Sequence, residues 1–77
     1  MKPEKLVTMA NQIGKFFASQ KSGEAVHGIA DHIKKFWDPR MRAGLLAYLD
    51  AGGEGLDPHV REAAEQLSRE RREPLKG

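Results

Sequence analysis

The side chains able to do chemistry are few, and their spacing offers little. His27 and Asp31 stand four residues apart, so on a helix they share one face and could both touch a metal. Two ligands do not make a site, and a metal would need a third and fourth from elsewhere. The chain has no cysteine, which removes thiolate zinc sites, cysteine-ligated clusters, disulfides and a thiol nucleophile. Ser19, Ser22 and Ser68 have no histidine and carboxylate arranged around them, and His32 and His59 stand apart from any ligand set. Gly14, Gly23 and the Gly52–Gly55 run lack the spacing of a phosphate-binding loop. The expected set of catalytic, cofactor-binding and metal-binding residues is empty.

One stretch stands out: Lys34-Lys35-Phe36-Trp37-Asp38-Pro39-Arg40-Met41-Arg42. It holds the single tryptophan and four cations within nine residues. A structural account covers much of it. Trp37 fills a corner between helices, Asp38 caps, Pro39 opens the next helix, and the lysines complement a helix C-terminus. Arg40 and Arg42 are harder to place, because positive charge in a first helical turn opposes the helix dipole. Arginine and tryptophan are enriched where proteins meet, and arginine can hold a carboxylate through two hydrogen bonds.

The elements that position this corner are helical. Leu6, Met9, Ala10, Ile13, Phe16 and Phe17 recur at three- and four-residue intervals in a first segment from about Pro3 to Ser19. Gln20–Gly23 breaks the pattern, with Ser22 as candidate cap of a second helix whose apolar side carries Val26, Ile29, Ala30, Ile33, Phe36 and Trp37. Asp38-Pro39 starts a third, which buries Met41, Leu45, Tyr48 and Leu49 with Leu46 at the margin. Gly52-Gly53-Glu54-Gly55 ends it, and Asp57-Pro58 starts a fourth bearing Val60, Ala63, Ala64 and Leu67. The flanks of the two Asp-Pro starts differ, which reads as convergent capping, not an internal repeat. No segment alternates as a half-buried strand does. The expected fold is all-α: a small bundle of four short helices joined by tight turns. Residues 1–67 form a single domain, and the charged tail 68–77 extends the last helix until Pro74.

Composition narrows the function classes. Thirteen basic and eleven acidic residues leave a net charge of +2, far from a typical nucleic-acid binder. No apolar run is long enough to span a membrane, and the amphipathic start does not resemble a secretory signal. The fourth helix offers only Val60 and Leu67 beyond alanines, so the core is thin for 77 residues. A partner that binds only the folded form would stabilise it by mass action.

Three stretches carry a family resemblance. Met9-Ala10-Asn11-Gln12-Ile13-Gly14-Lys15-Phe16-Phe17 resembles the opening of the small delta subunit of NAD-dependent, molybdenum-containing formate dehydrogenases. The stretch from Ala30-Asp31-His32-Ile33 through the corner to Arg42 is similar to that family's most distinctive block, and Gly55-Leu56-Asp57-Pro58 with Val60-Arg61 to its third. The resemblance covers about Met9 to Ala64 and leaves out the tail and Gln20–Gly23. It implies a cytoplasmic complex that oxidises formate to carbon dioxide and reduces NAD. The larger subunits of that complex carry molybdopterin guanine dinucleotide with molybdenum, iron–sulfur clusters and flavin (FMN). It also implies an accessory subunit that holds none of these and binds the large catalytic subunit, with no nucleic acid or membrane as partner. The matched block is not catalytic, so no catalytic residue carries over; Phe36, Trp37, Asp38, Pro39, Arg40 and Arg42 are the expected contact. Two alternatives stay open: a transient assembly chaperone for the catalytic subunit, and a small helical nucleic-acid binder using Lys34, Lys35, Arg40 and Arg42.

Overall fold

Three of the four helices begin on a proline, where the missing N–H would have had no partner within the helix anyway. In the computed structural model, which describes residues 2–72, α1 spans Pro3–Phe16, α2 Ser22–Phe36, α3 Pro39–Asp50 and α4 Pro58–Arg72. The all-helical expectation holds, with no strand among the described residues. Asp38 caps α3 as expected, its carboxylate accepting from the Met41 N–H at 2.8 Å. At α2 the boundary falls one residue earlier than expected. Lys21 takes the extended cap backbone, its carbonyl accepts from the Ala25 N–H at 2.7 Å, and Ser22 is the first helical residue. The end of α3 is a Schellman motif: the Gly53 N–H donates to the Tyr48 carbonyl and the Gly52 N–H to the Leu49 carbonyl. Gly53 has φ +62°, a conformation that costs glycine nothing. The tail's last residues, 73–77, with the expected stop at Pro74, lie outside the described residues.

The core forms where α2 and α4 meet, the most extensive pairing in the molecule. Ile29 and Ile33 of α2 are fully buried against Val60, Ala63 and Ala64 of α4, whose small alanines let the two helices approach. Leu45 and Leu46 come in from α3, Leu6 and Ala10 from α1, and Trp37 and Leu56 from the connections. The largest fully buried side chains are Ile29, Ile33, Leu45 and Val60.

Four details differ from the periodicity reading. Leu46, expected at the margin, is 5 % exposed, while Met41, Tyr48 and Leu49 are only half-buried. The reason is that α3 packs against both α1 and α4, so its two apolar directions diverge and adjacent leucines are both covered. Leu56, in the connection before α4, is an unforeseen core member. Phe16 and Phe36 are not buried at all, at 78 % and 72 % exposure. In each case the following residue, Phe17 or Trp37, takes the inward position.

Close approach of α1 to its neighbours depends on Gly14 and Gly28. A Cβ added at Gly14 would lie 2.5 Å from Val60 Cγ2, and one at Gly28 would lie 2.7 Å from the Phe17 ring. Asn11 adds a polar tie, joining α1 to the connection preceding α4. Its side-chain amide donates to the Gly55 carbonyl at 2.9 Å and its carbonyl accepts from the Asp57 N–H at 3.0 Å.

Candidate partner-binding corner

The corner between α2 and α3 is two extended residues, Trp37 (ψ 138°) and Asp38 (ψ 164°). The latter is held out of the helical region by the following Pro39. Trp37 is 6 % exposed and belongs to the core, so its ring fills the joint. Phe36 projects outward, and the His32 ring lies against it with centroids 4.7 Å apart. Pro39 and Arg40 are exposed, and Asp38 is occupied as the α3 cap.

Arg42 has a definite internal role. Its Nη1 donates to the Trp37 carbonyl at 2.6 Å and to the Lys34 carbonyl at 3.1 Å. The guanidinium therefore sits at the negative end of α2, and this attraction offsets its unfavourable place in the first turns of α3. Its position in the sequence is thus explained by the joint itself. Arg40, by contrast, makes no hydrogen bond or ion pair among the described residues. Lys35 pairs with Asp31 at 3.2 Å and Lys34 with Glu70 at 3.0 Å. Hydrogen bonding from the Lys34 ammonium holds the Glu70 carboxyl below the usual carboxylate range. Of the four cations in the stretch, three are engaged within the molecule, which weakens the case for a phosphate-binding row.

A related residue order opens α4. Asp57-Pro58-His59-Val60-Arg61 repeats the order Asp-Pro-x-x-Arg of Asp38–Arg42. Arg61 reaches back to the turn that follows α3, its Nη2 donating to the Gly52 and Gly53 carbonyls at 2.9 Å each. Capping alone does not describe these pentads: in each, an arginine four residues after the aspartate donates to backbone carbonyls that precede it, at the end of α2 in one case and in the turn after α3 in the other. The shared arginine spacing is the signal for this, present in the sequence but obscured by the unlike flanks.

This arrangement gives an expected contrast. Arg42→Ala removes a charged donor from two carbonyls and is expected to lower the stability of the chain by about 1.5–3 kcal/mol. Arg40→Ala, at an exposed position, should stay within about 0.5 kcal/mol of the parent. Urea denaturation of the two variants measures both, and equal midpoints would remove the joint role of Arg42.

His27 and Asp31 do not gather a third ligand. Among the described residues no group of three or more histidine and carboxylate side chains is close enough to hold a metal ion. Nor is any helix among them long and apolar enough to cross a membrane.

Fold and corner together define a small four-helix protein that exposes the Phe16 and Phe36 rings and, at Arg40, a cation with no counter-charge among the described residues. The sequence model of the NADH-dependent formate dehydrogenase delta subunit, FdsD, matches residues 5–64, and the chain belongs to that family. The match contains the whole corner and both Asp-Pro joints. No curated protein and no solved structure matches the chain.

Proposed function

We propose that the chain is a non-catalytic accessory subunit that binds the catalytic part of a cytoplasmic, NAD-dependent, molybdenum-containing formate dehydrogenase and stabilises it or helps assemble it. The observation that carries this reading is the family match over residues 5–64, within which the corner lies. Formate oxidation and NAD reduction then belong to the large subunits, together with the molybdopterin guanine dinucleotide, the iron–sulfur clusters and the FMN. The residues of this chain do not fit an iron–sulfur cluster. It has no cysteine for a cluster, and its carboxylates and histidines do not converge among the described residues.

The contact proposed from the corner is Phe36, Pro39 and Arg40 facing the large subunit. Trp37, Asp38 and Arg42 hold the joint that presents them. The six expected contact residues thus fall into two groups. The first three are exposed, while the last three are committed to core, cap and carbonyls.

Tagging the chain in its native cells and purifying it under mild salt tests the proposal. The large subunits are expected to come with it in fixed stoichiometry, and the isolated chain is expected to retain neither flavin nor molybdenum nor iron. Purification without any formate dehydrogenase subunit would overturn the reading. Recovery only with cofactor-free large subunits, and absence from the mature enzyme, would replace a permanent subunit by an assembly chaperone.

A further inference from the structure

A groove runs between α3 and α4 beside the corner. Pro39, Ala43 and Leu46 line it along one face of α3, and Leu67 and Glu70 along α4. Leu46 and Leu67 are buried and Ala43 is half-buried, so the floor is apolar. The rest of the lining is charged. Lys34 and Arg42 set two cations against one carboxylate, that of Glu70. Lys34 has Glu70 as its counter-ion, whereas Arg42 has carbonyl oxygens and no carboxylate among the described residues.

The state of Arg42 decides what the groove takes. Both of its bonds to the joint leave from Nη1, and Nε and Nη2 make no hydrogen bond among the described residues. Those two nitrogens form one edge of the guanidinium fork, which matches the two oxygens of a carboxylate. The bonds from Nη1 already hold the group, so little side-chain freedom remains to be lost when an acid docks. Apolar neighbours strengthen such a bond by lowering the local dielectric. The complementary ligand is a carboxylate beside an apolar side chain that covers Leu46 and Leu67.

The chain itself supplies this pairing poorly. In a second copy, the exposed large apolar side chains among the described residues are Phe16 and Phe36. Neither has an acid three or four positions away, so on its helix neither ring shares a face with a carboxylate. Asp38, the acid nearest in sequence to either, is committed to the α3 cap. Residues 73–77 contain one acid and one lysine, Glu73 and Lys76, and so bring no net charge to complement Arg42.

We infer that this groove docks a segment of the formate dehydrogenase large subunit, with a carboxylate of that segment on the Nε–Nη2 edge of Arg42 and a neighbouring apolar side chain over Leu46 and Leu67. The inference rests on the accessory-subunit reading. It extends the contact from Phe36 and Arg40 through Pro39 to Arg42, which then serves both the joint and the partner.

Ala43 is the probe, because it lines the groove next to Arg42 in sequence without belonging to the core. The tagged full-length chain is co-expressed with the large subunits as the parent, as Ala43→Glu and as Ala43→Gln, two variants of nearly equal bulk that differ by one charge. Both should keep the parent's helicity and melting temperature. Ala43→Glu is expected to bind the large subunits at least about tenfold more weakly than Ala43→Gln, since its carboxylate takes the Arg42 edge and repels the incoming acid. Glu70→Gln removes the groove's own carboxylate and should bind at least as tightly as the parent. A photo-crosslinking residue at position 34 should capture an acidic segment of a large subunit. If the parent binds and the two Ala43 variants bind equally, or Glu70→Gln binds more weakly, the groove's assignment falls while the accessory reading stands. If the parent binds no large subunit, both fall. Should the Ala43 variants lose the parent's helicity, Glu70→Gln and the crosslink decide. Capture of a second copy, of residues 73–77 or of a segment without a carboxylate would also overturn the assignment.

Discussion

Ile33→Ala is expected to cost about 2–5 kcal/mol of folding stability, read as a fall in urea midpoint at unchanged slope. Ile33 is fully buried in α2 at the pairing with α4 and is one of the four largest side chains so enclosed. Removing three carbons leaves a void that can close only if α2 moves toward α4, and the alanines on the facing side have nothing to extend into it. A domain of this size has a total stability of about 4–12 kcal/mol, on typical values per residue. The ratio of unfolded to folded chain at 37 °C should therefore rise at least about twentyfold in the isolated variant. Addition of the large subunits should recover part of the loss, because binding to the folded form alone shifts the equilibrium. A midpoint within experimental error of the parent would mean that the α2–α4 pairing is not the core.

The second large effect is one of too much volume. At Gly14 an added Cβ would meet Val60 Cγ2 at 2.5 Å, and Val60 is itself fully buried and stiff about its first torsion. Gly14→Val is expected to destabilise by about 3 kcal/mol through overpacking, with little return from helix propensity because valine is a poor helix former. Combining it with Val60→Ala removes the opposing methyl groups. The pair should then be more stable than the sum of its parts by about 0.5–3 kcal/mol. Strict additivity would show that α1 and α4 do not touch at this point. Gly14 falls in the first of the three stretches that resemble the family, and its role there is to let α1 lie against α4.

The four helices are legible in the sequence because prolines, aspartates and glycines punctuate them and because apolar residues recur with helical period. Two kinds of fact are not. Periodicity assigns each helix a single inner face, which fails for α3, a helix that touches two neighbours and buries Leu45 and Leu46 side by side. It also counts Phe16 and Phe36 as inward, though each is displaced by the ring that follows it. The second kind concerns long polar side chains. The dipole argument identifies Arg42 as needing an explanation beyond its own helix. The carbonyls that supply one belong to α2, and only the folded corner brings them within reach. Asn11 is similar: on its own helix it is a half-buried amide, and its two hydrogen bonds lie more than forty positions along the chain. The family resemblance marks both stretches but not what these residues do in them.

The joints made by Arg42, Arg61 and Asn11 share a chemical property with consequences beyond packing. Each bond joins an arginine or amide side chain to a backbone group, so no proton-binding carboxylate takes part. Arginine stays charged throughout the working range of a protein. Salt therefore acts elsewhere, on the exposed pairs Lys34–Glu70 and Lys35–Asp31, and acid on the first of them. Because the Glu70 carboxyl is held below its ordinary range, its contribution is present above the ordinary carboxylate pKa and is lost as pH falls through the folded-state value. At an exposed pair that amounts to less than about 1 kcal/mol. Mechanical shape and electrical character are thus set by different parts of the same corner. Salt can screen the charge the corner shows to a neighbour while the arginine and amide bonds to the backbone stay made.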